Sequence, residues 1–309
     1  MSKIYDMIIV GGGPGGYTAA LYAARAGLSV VVLEKLAAGG QMAQTHQIDN
    51  YPGFPEGIDG WSLAENMQNQ AHRFGAETVY AEVSSLDLQA EPKAVLTTDG
   101  TFQGRTVVIA TGAGPRELGL PEEKAMIGRG VGYCAACDGM FYRGKTVVVV
   151  GGGNTAAADA LLLSRIVKKV ILVHRRDTLR ATKIYHAPLM QAENVEFCWN
   201  STVSALHADG LLKGVTVKNV QTGAETEIPC DGLFISVGRK PATELVSGQL
   251  DLDEGGYIVA DESTKTSIPG VYAVGDVRTK AVRQVVTAVA DGAVAVHHAE
   301  EYLAKIHAG

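Results

Sequence analysis

An α/β fold is predicted for this 309-residue chain, as two parallel-sheet units with the second inserted into the first. Three observations carry the prediction. A glycine fingerprint lies between a strand and a helix near residue 11, and the same pattern recurs 140 residues later. The last 60 or so residues then resume the style of the first unit.

Residues 4–35 form one βαβ pattern. An apolar strand ends at Val10, and Gly11-Gly12-Gly13-Pro14-Gly15-Gly16 follows. A helical stretch runs over 17–25 and stops at Gly27; a second strand over 29–33 ends in Glu34. Gly11 permits a tight turn, Gly13 a close approach to a pyrophosphate, and Gly16 close helix–strand packing. The helix N-terminus offers unpaired N–H groups to phosphate. Glu34 stands where an acid accepts hydrogen bonds from a ribose.

In the second copy, a strand over 145–150 meets Gly151-Gly152-Gly153-Asn154-Thr155-Ala156, and 170–173 is the next strand. Val150 superimposes on Val10, Gly151 on Gly11 and Gly153 on Gly13, while His174 replaces Glu34. The chain therefore carries two Rossmann-like, three-layer ββα dinucleotide-binding units. His174-Arg175-Arg176-Asp177-Thr178-Leu179-Arg180 suits the 2′-phosphate of NADP, because guanidinium pairs bidentately with phosphate oxygens.

Between the fingerprints, 39–53 is a loop and 62–74 a helix. Short antiparallel strands are expected over 83–88, 94–98 and 101–105, turning at Asp99-Gly100. A buried strand over 106–112 follows, then a crossover linker at 115–121. Strands over 195–199, 214–219 and 232–237 lead to a second crossover near Gly238-Arg239-Lys240-Pro241. Strand 270–274 ends in Gly275-Asp276, and a long helix is expected over 282–305. The expected domains are 1–115 with 243–309, and 116–242.

A net charge of −6 argues against a general nucleic-acid binder. No apolar run reaches transmembrane length and no leader pattern is visible, so a soluble cytoplasmic protein is expected. Four cysteines are too few for a disulfide framework. Cys198 and Cys230 read as buried core thiols. Cys134-Ala135-Ala136-Cys137, followed by Asp138, either carries electrons or holds a metal. Structural zinc needs about four ligands, and the adjacent His297 and His298 are not expected to point at one site, so no metal is expected.

Taken together, Gly11–Gly16, Gly40-Gln41, residues 50–53, 110–112, 128–131 and 134–139, the second fingerprint, the arginine cluster, Gly275-Asp276 and Arg283-Gln284 closely resemble the low-molecular-weight bacterial thioredoxin reductases, over essentially the whole chain. The resemblance implies FAD in the first domain, with Gly11, Gly13, Pro14, Gly16, Glu34, Gly40, Gln41, Asn50, Thr111, Gly112, Gly275 and Asp276 in its cradle. Arg283 and Gln284 would lie at the flavin ring. It implies NADPH on Gly153, Asn154, Thr155, His174, Arg175, Arg176 and Arg180 of the second domain.

By family role, Cys137 is nearest the flavin and Cys134 attacks the disulfide of thioredoxin. Asp138 would exchange protons with the thiols, its plainer alternative being a helix N-cap. Arg129, Met140 and Phe141 would contribute to the thioredoxin surface, or else pack within the domain. A homodimer and a domain rotation on the two crossovers are also implied. The chain departs from the commonest family pattern at Gly132, Ala136, Asn154 and Thr155. A flavin-dependent dithiol oxidase and a ferredoxin-dependent reductase are the competing activities; neither needs the arginine cluster.

Overall fold

The computed structural model describes residues 3–45 and 47–308. The chain divides into two units, 1–114 with 240–309, and 115–239.

The first unit opens with β1 (Ile4–Val10), α1 (Pro14–Arg25) and β2 (Val30–Glu34). Pro14 takes the first helical position, where its missing N–H costs nothing. α2 (Gly60–Arg73) starts two residues before the sequence suggests, because the Asp59 carboxylate caps Ser62 N at 2.9 Å. Then come β3 (Glu77–Tyr80), β4 (Val83–Asp87), β5 (Lys93–Thr97) and β6 (Gly100–Ile109). β1 pairs in parallel with β2 and β6, and β2 with β3.

The segments 101–105 and 106–112, expected as separate strands, are largely one strand. The first half of β6 pairs antiparallel with β5, while its other edge runs parallel to β1. Side chains alternate across the sheet. Met7, Ile9, Val30 and Val32 face a core with the alanines of α1, whereas Ile8, Val10, Val31 and Leu33 face Leu86, Leu88 and Val95. That is the expected three-layer arrangement. β7 (Ala113–Pro115) then leads out of the unit.

The second unit holds β8 (Val131–Gly132), α3 (Ala135–Asp138), β9 (Thr146–Val150), α4 (Asn154–Ser164), β10 (Lys169–Val173), α5 (His186–Gln191) and β11 (Val195–Cys198). An antiparallel sheet of β12 (Ser201–Asp209), β13 (Leu211–Asn219) and β14 (Glu225–Pro229) follows, then β15 (Gly232–Ile235). The parallel sheet has the order β11-β10-β9-β15-β8. Its layering repeats that of the first unit. Val147, Val149, Val170 and Leu172 pack on α4, and Val148, Val150, Ile171 and Val173 on Val203, Val215 and Val217.

β16 (Arg239–Pro241) pairs with β7, so the two crossings run side by side. Back in the first unit, β17 (Val271–Ala273) pairs in parallel with β6, and α6 (Val285–Ala308) closes the chain. α6 starts three residues later than expected, and the Thr287 hydroxyl accepts from Gln284 N at 3.1 Å at its start. α1 and α6 approach closely: a Cβ on Gly292 would stand 2.4 Å from the Gly15 carbonyl oxygen. Among the described residues no helix is long and apolar enough to cross a membrane.

Candidate active site

The cysteine pair sits where β8 turns into α3. Cys134 and Cys137 are joined in a disulfide, with Cα atoms 5.3 Å apart. Cys134 is the N-cap of α3, and its sulfur accepts from Cys137 N at 3.2 Å. Both residues are half-buried and Ala136 is exposed, so the motif is open to a partner. Asp138 is the last residue of α3 and stands at the N-cap position of the 3-10 turn that follows, without a side-chain cap bond to that turn. Burial, and then the Asp138 carboxylate, push the Tyr142 phenol up to about 12. At the departure Gly132 the space is tight: a Cβ there would lie 3.0 Å from Asp138 Oδ2 and 3.4 Å from the Phe234 ring, so these side chains would have to give by a few tenths of an ångström. Met140, Phe141 and Arg129 are exposed rather than packed inside the unit.

The first fingerprint lies at the C-terminal ends of β1, β2 and β6, the usual ligand side of a parallel sheet. Gly11 has φ 106°, and any Cβ there would meet the Ala110 carbonyl oxygen at 2.5 Å. A Cβ on Gly16 would stand 2.1 Å from the Gly11 oxygen. Gly13, the N-cap of α1, has open space where a Cβ would be, which is the room a pyrophosphate needs. Glu34 Oε2 accepts from Gly12 N at 2.7 Å and Oε1 from Leu36 N at 3.1 Å. Gly40 lies opposite Gly13, and Gln41 Nε2 donates to the Ala113 carbonyl at 2.5 Å. Thr111 Oγ1 donates to Ala242 O at 2.7 Å, and Gly112 O accepts from Ala242 N at 3.0 Å.

The same unit gathers a second group at the start of α6. Asn50 Nδ2 donates to Gln284 Oε1 at 3.1 Å. The Arg283 guanidinium lies 4.0 Å over the Tyr257 ring and donates to the Asp276 carbonyl at 3.4 Å. Gly275 N donates to Asp291 Oδ2 at 2.8 Å.

In the second unit a Cβ on Gly151 would meet Ser236 O at 2.4 Å, and Gly153 again caps a helix into open space. Asn154 Oδ1 accepts from Thr182 N at 2.8 Å, and Gly152 O accepts from the backbone of Arg180 and Ala181. The basic loop is thus tied down onto the fingerprint. Arg175, Arg176 and Arg180 are exposed, anchored by buried Leu179. His174 behaves differently. Its ring is buried against Gly152 and edge-on to Trp199, and burial, then the neighbouring arginines, hold its pKa below the usual imidazole value. Its Nε2 is a buried polar atom without a protein hydrogen-bond partner, a neutral group left for a ligand. The open Gly13 and Gly153 cradles and this atom fit two bound dinucleotides.

The family model for pyridine nucleotide-disulphide oxidoreductases matches residues 5–292. The chain belongs to that family. A thioredoxin reductase of Streptomyces clavuligerus is 47% identical over 309 residues, covering 99% of this chain and 96% of the relative. That of Bacillus subtilis is 42% identical over 305 residues, covering 98% and 96%. Among solved structures, the thioredoxin reductase from Streptococcus pyogenes matches with TM-score 0.91 at 43% identity, covering 99% of this chain and 100% of that one.

Sequence patterns miss several groups that hold this oxidoreductase's candidate site. Glu123, 2% exposed, accepts from Leu118, Gly119 and Leu120 N at 3.0, 2.9 and 3.1 Å and from the Tyr133 hydroxyl at 2.7 Å, directly before Cys134. Asp291 accepts from Arg278 and Lys280 beneath Gly275. No motif announces either; each is an acid in an otherwise ordinary helix or turn. Two expectations need correction. Cys198 is half-buried, not a core thiol, because β11 lies at the sheet edge. His297 and His298 do converge, since Glu301 lies one turn on at i+4 and i+3 and contacts both rings.

Proposed function

We propose that this chain reduces the disulfide of a thioredoxin with electrons from NADPH, using FAD in the first unit and the Cys134–Cys137 pair in the second. The observation that carries the reading is that disulfide, closed across one turn at the N-terminus of α3, with Asp138 in the same turn. FAD, when bound, supplies a two-electron carrier between nicotinamide and sulfur. Its adenosine and pyrophosphate side would rest on Gly11, Gly13, Pro14, Gly16 and Glu34, with Gly40, Gln41, Asn50, Thr111, Gly112, Gly275 and Asp276 completing the cradle. Arg283 and Gln284 at the start of α6 would face the ring, where positive partial charge favours a reduced, anionic state. In the second unit, Gly153, Asn154 and Thr155 would hold the NADPH pyrophosphate. Arg175, Arg176 and Arg180 would hold the 2′-phosphate, with neutral His174 beside them.

On the protein side, the Cys134–Cys137 bond takes up two electrons and two protons and becomes two thiols. Asp138 exchanges one of those protons. The Cys134 thiolate attacks one sulfur of the substrate disulfide, and the other substrate sulfur leaves as a thiolate that takes a proton. Cys137 then attacks Cys134 in the mixed disulfide, which restores the enzyme disulfide and releases the substrate dithiol. Exposed Met140, Phe141 and Arg129 would form part of the surface that meets the partner.

Both electron transfer into the pair and release to a protein require the pair to change surroundings. A rotation on the crossings at Gly112 and Gly238 would provide this; both have positive φ, 72° and 107°. A crosslink that locks the crossings should stop turnover. A homodimer and a cytoplasmic location belong to the same reading by resemblance. The arginine loop favours NADPH over the oxidase and ferredoxin-dependent alternatives.

Anaerobic stopped-flow tests the reading. NADPH should bleach the flavin absorbance of the FAD-loaded protein, and oxidised thioredoxin should restore it. In Cys137→Ser the recovery should be lost, and recovery at wild-type rates would overturn the reading.

A further inference from the structure

We infer that His297, His298 and Glu301 on α6 form a surface site for a divalent transition-metal ion of borderline softness, such as Zn²⁺. The helix geometry brings them together. Glu301 lies i+4 from His297 and i+3 from His298, so its carboxylate sits between the two imidazoles one turn on. Each oxygen addresses one ring: Oε1 is 3.7 Å from His297 Nε2, and Oε2 is 3.1 Å from His298 Nδ1. The rings are 5.1 Å apart, centre to centre, and tilted by 55°. One ligand atom from each residue lies within 4.8 Å of the other two. An ion bound at about 2.0–2.2 Å by nitrogen and oxygen needs its ligands a little over 3 Å apart, so small side-chain rotations complete the site.

The donor set chooses the ion. Two imidazole nitrogens and one carboxylate oxygen suit Zn²⁺, Ni²⁺ or Cu²⁺, whereas Ca²⁺ and Mg²⁺ prefer all-oxygen shells. Three protein ligands leave further coordination positions for water. His298 is the more buried ligand, with a side chain 21% exposed, while His297 is 69% exposed and reachable from solvent. The Tyr272 hydroxyl donates to the His298 carbonyl at 2.9 Å and fixes this turn of α6. His298 and Glu301 also border a groove of about 290 Å³ between α6 and residues 265–272. Lys265 and Lys305 border the same groove. Their charge opposes a dication and sets a modest affinity, and an ion bound here displaces the Glu301–imidazole contacts.

The site is on the first unit and shares no residue with the cysteine pair or with either fingerprint. Calorimetric titration of the untagged, FAD-loaded, oxidised protein with Zn²⁺ at pH 7.5 tests it, because the Cys134–Cys137 disulfide then offers no thiolate. One equivalent per chain should bind. His297→Ala and His298→Ala should each weaken binding by about tenfold or more, and the double variant should abolish it. Cys198→Ser should leave binding unchanged. Flavin content of the variants should match wild type, since neither histidine belongs to the flavin cradle. No Zn²⁺ uptake by the wild type, or unchanged uptake by the double variant, would overturn the assignment.

Discussion

Replacing Asp291 by asparagine removes the single anion from a buried cluster with two cations. The side chains of Arg278, Lys280 and Asp291 are 1%, 5% and 6% exposed. Asp291 Oδ1 accepts from Arg278 Nη2 at 2.7 Å. Its Oδ2 accepts from Arg278 Nε at 3.0 Å, Lys280 Nζ at 2.8 Å and Gly275 N at 2.8 Å. Glu262 also lies 3.5 Å from Arg278, but it is 93% exposed and its charge is screened by water.

Asparagine keeps the shape, turns an amide N–H₂ toward donors, and leaves two buried cations uncompensated. Breaking a buried pair in this way costs about 3–5 kcal/mol. For a unit of this size each kcal/mol is about 2–4 °C in melting temperature, so the first unit should melt about 6–20 °C lower. Because the Asp291 cluster braces Gly275 of the cradle, bound FAD per chain should fall as well. Calorimetry with flavin absorbance reads both. Combining Asp291→Leu with Arg278→Met and Lys280→Met should recover most of the stability, because apolar groups then replace all three charges.

The pH dependence has a definite sign. Burial alone would raise the Asp291 carboxyl, but the hydrogen bonds from Arg278 and Lys280 outweigh it and hold the pKa below the usual value. The stabilisation is therefore full above the unfolded carboxyl value of about 4 and is lost as pH falls through the lower folded value. That acid loss should be absent in the asparagine variant. A melting temperature within about 2 °C of wild type would refute the reasoning.

Three further outcomes are expected. Arg180→Ala should raise KM for NADPH about 10- to 150-fold, the worth of a charge-assisted hydrogen bond of about 1.5–3 kcal/mol, and leave NADH use unchanged. Equal losses with both nucleotides would contradict a 2′-phosphate role. Gly16→Ala puts a Cβ 2.1 Å from the Gly11 oxygen, so α1 must shift and the protein should purify without flavin; full flavin occupancy would contradict this. Burial pushes the Cys230 thiol up to about 12, leaving about one part in ten thousand as thiolate at pH 8. Ellman's reagent should therefore modify half-buried Cys198 alone in the native oxidised protein, and fast reaction of two thiols would contradict it.

Much of the fold is legible because its strongest signals are local and repeated. Val10 on Val150 and Gly11 on Gly151 report two sheets with the same layering, and each central strand is apolar on both faces. β12 and β14 escape this reading. Strand β14, Glu225–Pro229, carries little apolar surface and takes its structure from pairing with β13, not from its own pattern. β3 is a short strand whose ends are exposed. The glycines and arginines of the cradles are legible because phosphate chemistry dictates them. Glu123, Asp291 and the buried placement of His174 are not, because each depends on how turns fold back onto the side chain and not on a periodic pattern. Glu123 is bonded by the turn just before it and by Tyr133. Asp291 is bonded by the segment holding Gly275, Arg278 and Lys280, and His174 is covered by Gly152 and Trp199. The error over His297 and His298 came from considering the pair without the acid one turn on.

The central claim is that the Cys134–Cys137 pair stores electrons between the nucleotide and the substrate. Anaerobic reductive titration of the FAD-loaded protein with dithionite counts those electrons. The wild type should take up two electron pairs per chain, one on the flavin and one on the disulfide. Cys137→Ser should take up only one. Uptake of a single pair by the wild type, or of two by the variant, would contradict the account.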